Sequence, residues 1–279
     1  MSSPCAFSSV QHVTSSVTHA ACPVLICGNI PDSASGAESS ESTPPGLATT
    51  TQHTWSLILA LVANIPRDNA LLPSGSWLHA SPLNTYLPGL TLGLLGLGKL
   101  GAGTARIGAL AFGMKVIAWS PNLTQARADE AATAAGLPAG SFKAVTKAEL
   151  FEQSDVLSVH IVLGDQTRGI VGHDELARLK PMAFLVNTSR GPLIDEEALL
   201  DTLDKGKIRG YAGDVFDVEP LPLDSRWRTT KWGGENGRSE VVLTPHSGYA
   251  YEGQMKDMWE KTALNLGRIA NGESLEWRL

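Results

Sequence analysis

Residues 91–122, TLGLLGLGKLGAGTARIGALAFGMKVIAWSPN, constrain this chain more than any other stretch. A short apolar run leads into three glycines spaced GxGxxG, an alanine-rich helical stretch follows, and a second apolar run closes the unit. Gly96, Gly98 and Gly101 suit a strand-to-helix turn in which the backbone comes close to a pyrophosphate. The helix N-terminus then offers free N–H groups to the phosphates. In a chain with 28 glycines the bare spacing says little. Its place between a strand and a helix is what points to a nucleotide.

The alternation continues to the end of the chain. TLGLL, KVIAW, VLSVHIV, AFLVN and VVLT read as strands, and AGTARIGALAF, TQARADEAATAA, TKAELFEQ, HDELARL and DEEALLDTLDKG read as helices between them. Strands buried on both faces and separated by helices predict an α/β fold with a Rossmann-like, doubly wound parallel sheet. A last helix is expected over roughly 252–270. Upstream, TTQHTWSLILALVANIP spaces Trp55, Ile58, Leu59, Leu61 and Val62 for a helix buried around much of its circumference, with Pro66 as its end. SGSWLHASPLNTYLPG reads as a loop. Residues 1–50 are rich in Ser, Thr, Ala and Pro and read as a low-complexity, largely disordered segment, with CPVLICGNI its one strand candidate. The expected division is therefore 1–50, a linker helix and loop over 51–90, a dinucleotide-binding domain over 91–250, and a C-terminal helix over 251–279.

Composition narrows the function. A net charge of −6 leaves no basic footprint for nucleic acid. No apolar run reaches the roughly 18 residues that a membrane helix needs. No Lys or Arg precedes Arg67, so no secretory or mitochondrial leader is expected and the address reads as cytoplasmic. Cys5, Cys22 and Cys27 are odd in number and lack paired spacings, which favours free thiols over a disulfide framework or a metal site.

Cofactor choice turns on Ser120. It stands 19 residues past Gly101, where an acid usually ends the second strand and binds the ribose 2′-OH. A serine does not repel a 2′-phosphate, and Asn122, Thr124 and Arg127 follow closely, the last a candidate phosphate partner. The cofactor is therefore read as NAD(P), leaning to NADP(H). The other reading is that Ser120 only loosens selectivity and Arg127 points to solvent.

Three later stretches, LVNTSRGPLIDEEAL, YAGDVFDVEPLP and VVLTPHSGY, each begin as a strand and run into a Gly or Pro turn. In an open parallel sheet those turns fall at the carboxyl edge, where ligands bind. Arg190, Glu219 and His246 are thereby candidates for one crevice. A hydride reaching a carbonyl carbon leaves charge on oxygen, and a His titrating near neutrality can supply the proton. A carboxylate beside it favours the imidazolium and fixes the ring, and an Arg can clamp a substrate carboxylate bidentately. Taken singly, each residue could equally be a turn, surface or core residue; the three together favour chemistry.

The motifs QHTWSLILAL, LGLLGLGKLG, SVHIVLGDQTRGIVG, KPMAFLVNTSRGPLIDEEAL, GDVFDVEPLP and LTPHSGY, in that order, resemble the cofactor domain of the D-isomer-specific 2-hydroxyacid dehydrogenases over residues 50–250. The resemblance implies Arg190, Glu219 and His246 as the catalytic set. It implies cofactor contacts at Gly96, Gly98, Lys99, Leu100, Gly101, Ile161 and Thr188, and at Asp214 facing the nicotinamide amide, with Ser120 at the ribose. It also implies a homodimer joined through this domain and the helix at 52–64, and substrates such as glyoxylate, hydroxypyruvate or a branched or aromatic 2-oxo acid. Three departures stand out: Ser120 itself, the insertion WRTTKWGGENGRSE, which is expected as a surface loop, and the N-terminus. The family's first domain has roughly 100 residues, and residues 1–50 read as its remnant. Two functions follow: an NAD(P)H-dependent 2-oxo acid reductase, or a catalytically impaired NAD(P)-binding relative acting as sensor or partner subunit.

Overall fold

The computed structural model describes residues 48–78 and 82–275. The expectations for residues 1–47, including the CPVLICGNI strand and the three cysteines, lie outside the described residues. The chain divides into two compact units, and Ser40–Glu260 holds the sheet.

The chain enters through α1 (Thr49–Val62), on which Thr51, Thr54, Trp55, Leu57, Ile58, Leu61 and Val62 are buried. Those positions recur at three and four residues, so one broad face packs inward. Trp55, Ile58 and Leu61 each contribute about 1.5–3 kcal/mol through that burial. Pro66 does not simply stop this helix. Asn64 takes a left-handed conformation that ends α1, and Pro66 then sits in the first turn of α2 (Ile65–Leu71). A proline is tolerated there because the first N–H groups of a helix have no intrahelical acceptor.

The sheet is built from β1 (Thr91–Leu95), β2 (Lys115–Trp119), β3 (Phe142–Ala144), β4 (Val156–Val159), β5 (Phe184–Asn187), β6 (Gly210–Gly213) and β7 (Glu240–Leu243). All pairings are parallel, in the order β3-β2-β1-β4-β5-β6-β7. The direction of winding reverses between β1 and β4, which opens a crevice above their carboxyl ends. Strands β4, β5 and β6 are buried throughout, whereas the edge strands β3 and β7 are not.

The doubly wound expectation is met, with a helical layer on each face. One apolar layer gathers α1, α3 (Lys99–Phe112) and α4 (Gln125–Ala134) through Trp55, Ile58, Ala105, Ala128 and Ala132. The other gathers α5 (Lys147–Gln153), α6 (His173–Arg178) and α7 (Glu196–Asp204) through Leu150, Phe151, Leu176, Leu199 and Leu203. Caps explain several boundaries. The Thr124 side chain accepts from Arg127 N, Thr146 and Glu149 form a reciprocal capping box, and the Asp195 side chain accepts from Ala198 N.

Two expectations need correction. The strand read in VLSVHIV stops at Val159: His160 N still bonds Leu95 O at 2.8 Å, but the His160 carbonyl and Ile161 N then abut the glycine turn at Gly96. The insertion WRTTKWGGENGRSE is not merely a surface loop. Its first residues complete α8 (Arg226–Thr229), and Trp227, only 4% exposed, stacks on Tyr211 at 5.4 Å and meets Trp232 at 5.9 Å. Two indoles and a phenol ring give that segment an apolar anchor of its own.

The closing helix, α9 (Glu252–Ala270), spans the expected range. Among the described residues, no helix is long and apolar enough to cross a membrane.

Candidate active site

The glycine turn shows why each glycine is there. Gly96 has φ +104°, and a Cβ on it would lie 2.7 Å from the His160 carbonyl oxygen. A Cβ on Gly101 would lie 2.2 Å from the Gly96 oxygen, so α3 can pack against the turn only without one. Gly98 is different: its φ is −76°, and nothing lies within 4 Å of where its Cβ would be. The space above Gly98 fits the close approach of a pyrophosphate. The first backbone bond of α3 runs from Ala102 N to Gly98 O at 2.8 Å, which leaves the preceding N–H groups facing outward. No acidic side chain occupies that first turn to compete with an anion. Lys99 is exposed, Leu100 and Ile161 are partly covered, and Ile161 N abuts Gly96.

At the end of β2, Ser120 is partly exposed and its carbonyl accepts from Leu123 N. Arg127 is exposed and donates from Nη1 to the Asn122 carbonyl at 3.3 Å, which holds its guanidinium along the same loop. The first turn of α4 carries no acid.

The three candidate catalytic residues come from the loops after β5, β6 and β7. Arg190 is exposed, and its Nη1 donates to Ser189 O at 2.7 Å. Asn187 pins that loop from within, accepting from Ser189 N and donating to Arg190 O. The next residue must be glycine: a Cβ on Gly191 would lie 2.1 Å from the Phe216 carbonyl carbon. That close approach brings the Arg190 loop against the loop that carries Glu219. Glu219 accepts from Phe216 N at 2.9 Å through Oε1, and its Oε2 lies 2.6 Å from His246 Nδ1. His246 has φ +53°, a conformation costly for a residue other than glycine and one that clusters at functional sites.

The electrostatics follow the geometry. Glu219's bond lifts His246 above the ordinary imidazole range against the opposing cost of burial; Asp214 adds to the rise and Arg190 opposes it. Burial works against the Glu219 charge, but the bonds from His246 and Phe216 N–H, with the positive charges of His246 and Arg190, hold its carboxyl below the usual range. Arg190 thus acts electrostatically on both partners. The structure brings Glu219 and His246 into contact and places Arg190 where its charge acts on both.

Asp214 and Thr188 are placed more deeply. Asp214 is 1% exposed, and its carboxylate accepts from Thr244 Oγ1, Ser247 N and Gly248 N at 2.5, 2.8 and 2.9 Å. Both oxygens are therefore occupied from within the protein. Thr188 Oγ1 is buried and lies 2.8 Å from Thr54 Oγ1 on α1.

Two residues near the site were not singled out from the sequence. His53, on α1, reaches Asp214 and Thr244. His160 is partly covered; its ring bonds Ser158 Oγ through Nε2, while its buried Nδ1 finds no partner among the described residues. Burial pulls His160 down to about 4, so the ring is neutral near pH 7. HIVLG follows a strand, and a histidine at that exit was the available signal.

A doubly wound parallel sheet with a glycine turn at its reversal point defines the dinucleotide-binding class of α/β domain. Residues 55–248 match the model of the D-isomer specific 2-hydroxyacid dehydrogenase NAD binding domain. The chain belongs to that family. It is 35% identical over 199 residues to the D-3-phosphoglycerate dehydrogenase of Bacillus subtilis, covering 71% of this chain and 34% of that enzyme. It is 34% identical over 238 residues to the glyoxylate reductase of Aeropyrum pernix, covering 82% of this chain and 66% of that enzyme. The crystal structure of a phosphoglycerate oxidoreductase from Vibrio cholerae superposes with a TM-score of 0.68 at 31% identity, covering 81% of this chain and 67% of that one. The chain spans about a third of the length of the first of these relatives.

Proposed function

We propose that this chain reduces a small 2-oxo acid with NAD(P)H, or runs the reverse oxidation, with Arg190 binding the substrate carboxylate and His246 exchanging the proton. The observation that carries this reading is the 2.6 Å contact between His246 Nδ1 and Glu219 Oε2, with the Arg190 charge acting on both. Because Nδ1 is committed to Glu219, Nε2 is the ring atom left to hold a proton and pass it to the developing alkoxide. Glu219 fixes the ring and favours its charged form. Arg190 spends Nη1 on Ser189 O, which leaves its Nε and Nη2 edge to present two N–H groups to a carboxylate.

The residues fit the cofactor. Gly96, Gly98, Lys99, Leu100 and Gly101 cradle the pyrophosphate; Ile161, Thr188 and Asp214 border the nicotinamide end; Ser120 borders the ribose. A bound reduced nicotinamide supplies the hydride. A preference for NADP(H) is supported by Ser120 in place of an acid and by Arg127 held along the same loop. The family name and the glyoxylate reductase relative support small 2-oxo acids as the substrate class.

A homodimer is part of this proposal. Trp77, Leu78, Leu83 and Tyr86, on the segment between α2 and β1, are 77%, 72%, 80% and 80% exposed, apolar side chains that a second copy could cover. Light scattering on the purified protein tests it, and a monomer at all concentrations would reject it.

The deciding experiment titrates NADPH and NADH by nicotinamide fluorescence, then adds a panel of 2-oxo acids. Turnover that disappears in His246→Ala, with cofactor affinity retained, supports the assignment. Loss of cofactor affinity in that variant would make His246 structural. Cofactor binding without turnover would leave the second reading, a catalytically impaired NAD(P)-binding relative; the folded-back, exposed Arg190 favours it.

A further inference from the structure

We infer that His53 on α1 is a positioning residue for the proton-exchanging loop: it donates from Nε2 into the Thr244–Asp214 pair and so fixes where His246 meets Glu219. The inference deepens the oxidoreductase reading and rests on it for the role of His246.

The hydrogen-bond roles can be assigned from donor chemistry. A carboxylate oxygen accepts, so Thr244 Oγ1, at 2.5 Å from Asp214 Oδ1, donates to it. The Thr244 hydroxyl has then used its only hydrogen. His53 Nε2 lies 2.9 Å from that hydroxyl and 3.2 Å from Asp214 Oδ1, so Nε2 carries the hydrogen and serves both oxygens. The tautomer is set by the site.

Asp214 passes this constraint to the backbone. Its Oδ1 accepts from Ser247 N and its Oδ2 from Gly248 N, the two residues that follow His246. On the other side, His246 N donates to Thr244 O at 3.1 Å and Thr244 N donates to Gly213 O at 2.9 Å. His246 is thus held at both ends in a conformation that an unsupported chain would leave. Space is tight as well: a Cβ on Gly248 would lie 3.0 Å from Asp214 Oδ2 and 3.4 Å from His53 Cδ2.

α1 is a firm base for such a strut. Its inner face is buried, and Thr54, the next residue, meets Thr188 two positions before Arg190. Adjacent residues of one helix therefore reach the Arg190 loop and the His246 loop.

The test compares His53→Gln, which keeps a donor, with His53→Phe, which keeps a ring but donates nothing, and with Thr244→Val. All 279 residues are used, and thermal melts check folding. The first readout is the low-field proton resonance of the His246 Nδ1–H in cofactor-free protein. We expect the signal in the wild type and His53→Gln, and its loss or broadening in His53→Phe and Thr244→Val. The second readout is steady-state kinetics: kcat falls roughly tenfold in His53→Phe and Thr244→Val and recovers in His53→Gln, while KM stays within about twofold. An unchanged resonance and kcat in folded His53→Phe would overturn the inference, as would a His53→Gln variant as impaired as His53→Phe. Should His53→Phe fail to fold, Thr244→Val decides by the same readouts. Absence of turnover in the wild type would reject the oxidoreductase reading, and the resonance would still decide the role of His53.

Discussion

Glu219 gives one carboxylate oxygen to His246 Nδ1 at 2.6 Å and the other to Phe216 N–H at 2.9 Å. The backbone bond prevents the carboxylate from swinging away, so its charge stays against the imidazole. The hydrogen bond with Glu219 is the largest cause of the rise in the His246 pKa, and the carboxylate's charge adds to it. If His246 supplies the proton, reduction requires the protonated ring, and kcat/KM for a 2-oxo acid should fall as pH rises through that elevated value. In Glu219→Gln the fall should move to lower pH, with a loss of about 10–10²-fold in rate at neutral pH. A pH profile with an unmoved midpoint in the variant would separate Glu219 from the proton step.

The three glycines of the turn predict three different outcomes. Gly98→Ala meets no atom within 4 Å and keeps an ordinary φ, so its melting temperature should stay near that of the wild type while cofactor affinity collapses. Gly96→Ala and Gly101→Ala meet backbone at 2.7 and 2.2 Å and should lose stability directly. A cost of about 1–3 kcal/mol is expected for each. Normal NAD(P)H binding by Gly98→Ala would remove the pyrophosphate from this turn.

For cofactor choice, Ser120→Asp should weaken NADPH far more than NADH, since a carboxylate repels a 2′-phosphate and accepts from a 2′-OH. Arg127→Ala should weaken NADPH alone. Equal changes for both cofactors, read by fluorescence titration, would leave this loop without a role in selectivity.

His160 predicts an acid sensitivity. Its imidazole is held down to about 4 in the folded chain against an unfolded value of 6.5. Protons therefore bind the unfolded state more tightly: the stability contribution is intact above pH 6.5 and drains away as pH falls to about 4. The loss over that window should reach about 3 kcal/mol. Denaturant titrations of His160→Asn should show a flatter dependence across the same window than the wild type. Parallel curves would place His160 in a more open setting.

Trp227→Ala should cost about 3–5 kcal/mol, because it empties a site bordered by Tyr211, Phe216 and Trp232. A change below about 1 kcal/mol in chemical denaturation would return the insertion to the status of a surface loop.

Legibility in the sequence tracked locality. KVIAW became β2 without adjustment because an apolar run buried on both faces has few other uses. α7 was equally plain from its acid-capped amphipathic pattern. β3 escaped notice: it is three residues long, lies at the edge of the sheet and carries an exposed Lys143. The anchoring of Trp227 could not be read, since its stacking partner Tyr211 lies on another element. The same holds at the site. Arg190, Glu219 and His246 each announce themselves by leaving a strand into a Gly or Pro turn. His53 does not: its partner Thr244 is 191 residues away, and no periodicity records such a meeting.

The order β3-β2-β1-β4-β5-β6-β7 separates two tasks along the sheet. Ser120, at the end of β2, and Arg127, in the first turn of α4, lie on one side of the reversal, while the loops bearing Arg190, Glu219 and His246 hang from β5, β6 and β7 on the other. Mutations can therefore accumulate at one end without disturbing the other end's alignment. If Ser120 and Arg127 select the carrier and His246 moves the proton, a lineage with this architecture can trade one electron carrier for another while its proton chemistry is inherited intact, so the metabolic pool it draws on and the reaction it performs are free to evolve at different rates.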